Sequence, residues 1–160
     1  MKKFILISLL VLAFSGLLVG CNQPAAIAKP ASTTDVIFTK WLTTAGTAPI
    51  VYNMAGVVSG DAGPGLYAGE VLELSNPTPT TSTGTVLYHI KGSSHQFTAR
   101  LSVNEDSKGN GVLKGVVTDG WMKGAEVNGN YQTIAPSGII NAQQGAGGDA
   151  VYQGTLHIEK

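Results

Sequence analysis

Residues 96–103 alternate without a break. Phe97, Ala99, Leu101 and Val103 fall on one side, and Gln96, Thr98, Arg100 and Ser102 on the other. Successive strand side chains point to opposite faces, so this is the pattern of a half-buried β-strand. Related patterns recur along the chain. Thr85–Lys91 places Val86, Tyr88 and Ile90 together, with Leu87 and His89 opposite, and Ala150–Glu159 places Tyr152, Leu156 and Ile158 opposite Gln153, Thr155 and His157. Asp35–Thr43, Ile50–Val58, Leu66–Leu74, Gly111–Thr118 and Val127–Ile134 are also rich in β-branched and aromatic residues, which predicts about eight strands. No segment holds a 3.6-residue period beyond two turns, so the predicted class is all-β.

Turn-forming clusters separate these segments, among them Gly60–Gly65, Gly92-Ser93-Ser94 and Ser107–Asn110. Short connections favour consecutive antiparallel hairpins. A flat meander leaves two edges and an apolar face exposed, and closure into a barrel removes the edges. A single eight-stranded antiparallel barrel over residues 35–160 is therefore the expected architecture, with a Greek-key sandwich as the alternative. Tyr67-Ala68-Gly69-Glu70-Val71 and Tyr152-Gln153-Gly154-Thr155-Leu156 share an aromatic two residues before a mid-strand glycine. Gly115 sits comparably after Leu113. Repeated strand glycines suit a strongly coiled barrel. In these strands the domain resembles small barrels of the calycin and allene-oxide-cyclase type, a resemblance of shape and spacing that implies no site residue.

The first twenty residues follow a different pattern. Met1-Lys2-Lys3 precedes an apolar run from Phe4 to Leu18, and small residues close it. This is the layout of a cleaved secretory signal. The tetrapeptide Leu18-Val19-Gly20-Cys21 resembles the lipobox of bacterial lipoproteins. That resemblance implies a diacylglyceryl (palmitate-type) modification of Cys21 and cleavage before it. Cys21 is the only cysteine, so no intramolecular disulfide can form. Two or three acyl chains, at about 0.8 kcal/mol per buried methylene, would anchor the protein durably. Asn22 in place of aspartate resembles the outer-membrane route, where the organism has an outer membrane. Residues 21–34 are rich in Ala, Pro, Ser and Thr and read as a flexible tether.

Without residues 1–20 the formal charge is 8 − 10 = −2, and the basic residues are scattered singly. Nucleic-acid binding calls for a basic face, so it is excluded as an expectation. The histidines, His89, His95 and His157, carry no metal-ligand spacing, and neither a metal nor another cofactor is predicted. The loop Asn104–Gly109 has glycine sixth, as calcium loops do, but Lys108 and Gly115 stand where oxygen ligands are required. No nucleophile elbow or phosphate-binding glycine motif is present.

What remains is aromatic and acidic. Trp121, in the glycine-flanked turn Asp119–Gly124, is expected at a rim or folded back as a plug. Tyr67 and Tyr131 are core aromatics that would also line a lumen. Glu70 and His89 are candidates to face it, Glu70 by sharing a face with Leu66, Ala68, Leu72 and Leu74. The resulting expectation is a lipid-anchored envelope protein that binds a small apolar ligand or an envelope partner without catalysis. The alternatives are a cyclase- or isomerase-like enzyme using Glu70 or His89, and a solidly packed structural accessory. A lumen of roughly several hundred Å³ separates the first two from the third.

Overall fold

The computed structural model describes residues 33–78, 80–134 and 150–160, which belong to one compact unit. Cys21, the signal segment and nearly all of the tether lie outside the described residues. Eight strands run in chain order: β1 (Thr33–Ala45), β2 (Tyr52–Gly60), β3 (Gly65–Thr78), β4 (Thr81–Gly92), β5 (Gln96–Asp106), β6 (Gly111–Gly120), β7 (Glu126–Ile134) and β8 (Val151–Glu159). Each pairs antiparallel with the next, and β8 closes on β1, giving a barrel and not a sandwich. Thr33 and Thr34, assigned to the tether by composition, pair with Glu159 and Ile158, so β1 starts two residues earlier than the pattern indicates. No helix among the described residues is long and apolar enough to cross a membrane.

Closure leaves the apolar face of every strand pointing inward. Val36 and Phe38 on β1, Val86, Tyr88 and Ile90 on β4, and Phe97, Ala99 and Leu101 on β5 are all buried in one cluster with Leu156 and Ile158. Burying a large apolar side chain contributes on the order of 1.5–3 kcal/mol, so this lumen is the main source of stability. Three rings form its centre. Phe38 stacks on Tyr67 at 6.0 Å, and Tyr88 meets both edge-on, at 5.6 and 4.9 Å.

The strand glycines explain how a narrow barrel accommodates those rings. Four of the luminal aromatics lie directly across the ladder from a glycine: Phe38 from Gly154, Tyr67 from Gly56, Tyr88 from Gly69, and Tyr131 from both Gly111 and Gly154. A methyl group on Gly154 would sit 2.7 Å from the Phe38 ring and from Tyr131 Cβ, and one on Gly69 would sit 2.5 Å from the Tyr67 hydroxyl. The aromatic side chain occupies the space the glycine leaves empty.

The two ends of the barrel differ. At the end where β1 begins and β8 finishes, the turns fold over the lumen. Ser94 and His95 donate their amides to the Ala62 carbonyl, and Trp121 donates its amide to the Gln96 carbonyl. Ala62 and Ala125 are buried there. The His95 and Trp121 rings stack in parallel at 3.7 Å above Phe97. Gly120, Met122 and Gly124 adopt left-handed φ values of 80°, 57° and 83°, which let this turn double back. Trp121 is therefore a plug.

Candidate functional site

At the opposite end, where β1, β3 and β5 finish, the lumen is not filled. A cavity of about 150 Å³ remains, walled by Leu42, Tyr52, Met54, Val71, Leu74, Val86, Val103 and Tyr152 and reached by Lys40, Glu105 and Tyr131. An apolar protein cavity of that volume accommodates benzene. The lumen thus falls short of the several hundred Å³ expected of a ligand-binding or catalytic barrel, because the central rings take the space, and what remains admits only a benzene-sized molecule.

Lys40 is the unexpected member. It continues the inward series Val36, Phe38, Lys40, Leu42 and is only 4% exposed. Its Nζ donates to the Tyr88 hydroxyl at 2.6 Å. It also lies 4.1 Å from the Tyr131 ring centroid, 5.0 Å from that of Tyr88 and 5.4 Å from that of Tyr152. Among the described residues no carboxylate comes within salt-bridge range of it. Aromatic faces give a cation partial compensation, less than an ion pair would. Burial accordingly lowers the amine from 10.5 to about 7, opposed by the more distant charge of Glu105.

Glu105 and Tyr131 complete the wall. Glu105 continues the inward face of β5 beyond Val103, and the Tyr131 hydroxyl donates to Glu105 Oε2 at 2.5 Å. Burial first, then that bond, pushes Tyr131 well above the usual tyrosine range. Burial likewise raises Tyr88 and, with less force, Tyr152, so the phenols stay protonated and serve as hydrogen-bonding groups.

The residues singled out by sequence are scattered. Tyr131 lies in the cavity wall. Tyr67 is buried at mid-lumen, its hydroxyl directed at Met54 Sδ, and does not line the cavity. Trp121 belongs to the plugged end. Glu70 and His89 are corrections: both alternate with inward residues and face outward. Glu70 lies between Gly69 and Val71 on β3, and the bulge between Val71 and Glu73 resets the parity so that Leu74, but not Glu70, reaches the cavity. His89 is bonded to Thr98 at 3.1 Å on the outer wall, and His157 is bonded to Asp35 at 2.6 Å on the same surface.

Two larger concavities on the wall carry less chemistry. One, about 860 Å³, runs past Ile37, Asn130, Gln153 and Thr155; its carboxylate, Asp106, is engaged by the amides of Lys108 and Asn110 at 2.8 and 2.9 Å. The Asn110 side chain first, then those amide bonds, hold Asp106 below the usual carboxylate range and make residues 106–110 a polar hairpin turn. The other, about 330 Å³, lies beside His89. No cluster of metal-ligating side chains occurs among the described residues.

Comparison with protein families, curated proteins and solved structures finds no match.

Proposed function

We propose that this chain is a lipoprotein held at a cell-envelope membrane through Cys21, whose barrel binds a compact, mostly apolar molecule in the cavity above Lys40. The observation that carries the binding half is the cavity itself. A protein this well packed elsewhere leaves about 150 Å³ lined by aliphatic and aromatic side chains, with Lys40, Ser82, Glu105 and the Tyr131 hydroxyl as its polar groups. A few convergent polar groups in an apolar pocket are the general layout of a small-molecule site. The enzyme alternative that used Glu70 or His89 as a luminal acid loses its support, because neither faces the lumen.

The anchoring half rests on the signal-like first twenty residues and the Leu18–Cys21 tetrapeptide. The outer wall fits a barrel held at a membrane and not through one. Lys91, Arg100, Lys114, Asn128, Gln132 and Gln153 interleave with single aliphatics, the inverse of the apolar band that faces lipid in a spanning barrel. Replacing Cys21 with serine, with metabolic labelling by a fatty acid, tests this half. The label should be lost and the protein should leave the membrane fraction. Retention of both would contradict it.

A further inference from the structure

We infer that Lys40 captures a compact aldehyde or ketone in this cavity as an imine, an inference that rests on the cavity being a ligand site and names the ligand's reactive group. Three features of the geometry converge on it. Lys40 lines a mostly apolar cavity of benzene size and is the one lysine in its wall, so a small carbonyl compound entering it meets one primary amine. Among the described residues that nitrogen has a single hydrogen-bond partner, Tyr88 Oη, and is otherwise faced by rings. The same wall carries a second polar pair, Glu105 and Tyr131, with the Tyr131 ring 4.1 Å from Nζ, able to hold the oxygen or the water it becomes.

The reaction balances without an oxidant or reductant. The nitrogen lone pair attacks the carbonyl carbon, the C=O π electrons move to oxygen, and a carbinolamine results. The C–O bond then breaks, a C=N bond forms, and oxygen leaves as one water carrying the two protons the neutral amine began with. Desolvation in a hydrophobic pocket is a recognised way to make a lysine nucleophilic near neutral pH. An amine held at about 7 is roughly half unprotonated there, whereas an ordinary lysine is unprotonated in fewer than about one molecule in a thousand.

The test uses benzaldehyde on the full-length protein purified in detergent, with cyanoborohydride at pH 7 to trap any imine and peptide mapping to locate it. Toluene, the same ring without a carbonyl, serves as a non-covalent probe by ligand-observed NMR. The expected result is trapping at Lys40 on the order of tenfold or more faster than at the exposed Lys91, Lys108 or Lys114, and protection of Lys40 by toluene. Lys40→Met should bring the total label down to that carried by the exposed lysines, with circular dichroism confirming the fold. If toluene binds but benzaldehyde modifies only the exposed lysines, or all lysines alike, the imine is refuted and the cavity reading survives. If toluene does not bind and Lys40 is not trapped, both are refuted.

Discussion

Replacing Lys40 with methionine should change how stability depends on pH more than any other single substitution in this barrel. The side chain is close in length and shape, and only the amine is lost. In the native state that amine is lowered to about 7, while in the unfolded chain it returns to about 10.5. Below pH 7 both states carry the proton and the term is constant. Between about 7 and 10.5 the unfolded chain binds a proton that the native state does not, so stability rises with pH across that window. At about 1.4 kcal/mol per pH unit, the full excursion is roughly 5 kcal/mol, of which about 3 kcal/mol falls between pH 7 and 9.5. Tyrosines of the unfolded chain begin to ionise at about pH 9.5 while the buried ones stay protonated, which lowers the stability of wild type and variant alike at the top of the range. Urea unfolding at fixed temperature, followed by near-ultraviolet circular dichroism from pH 6.5 to 9.5, should show wild-type stability climbing by about that amount while Lys40→Met stays nearly flat. At pH 7 the variant should be the more stable by about 2–4 kcal/mol, since the loss of the Tyr88 bond offsets only about 1–3 kcal/mol. A wild-type profile as flat as the variant's would refute the buried-amine account.

Four further substitutions test the rest of the framework. Gly154→Ala introduces a methyl group against the Asn130 carbonyl and 2.7 Å from the Phe38 ring, and should destabilise by about 1–3 kcal/mol in thermal unfolding. Gly124→Ala, which meets nothing within 4 Å, should show only the strain of its φ of 83°, about 1 kcal/mol. Tyr131→Phe removes the donor to Glu105 and should cost about 1–3 kcal/mol, seen as a lowered urea midpoint at unchanged m. Trp121→Ala unstacks His95 and should cost about 1–3 kcal/mol, with loss of near-ultraviolet ellipticity, because the turn it anchors closes one end of the barrel.

The barrel could be read from the chain because period-two alternation and turn clusters are local properties, and all eight strand segments appear in the structure. Which face of a strand looks inward is a property of its neighbours. On β3 both faces offer apolar residues, and the choice of Tyr67, Gly69 and Val71 over Leu66, Ala68 and Glu70 follows from the glycine–aromatic pairs formed with β2 and β4. That is why Glu70 was expected in the lumen and lies outside it. His89 was misplaced for the opposite reason: Val86, Tyr88 and Ile90 already marked the inner face, and a histidine beside them had to point away. Lys40 was missed because a lone lysine reads as surface, although Val36, Phe38 and Leu42 put it in phase with the core. Glu105 was missed because its polarity suggested a turn, while the alternation through Phe97, Leu101 and Val103 carries on to it.

The most direct test of the ligand site is methyl-resolved NMR of the protein titrated with toluene. A molecule bound above Lys40 should shift the methyl resonances of Leu42, Val71, Val86 and Val103, which line the cavity, and leave those of Val36, Val58 and Ile158, which pack toward the plugged end. Saturable shifts confined to the first group are the predicted result. No shift, or shifts only at the plugged end or on the outer wall, would contradict the account.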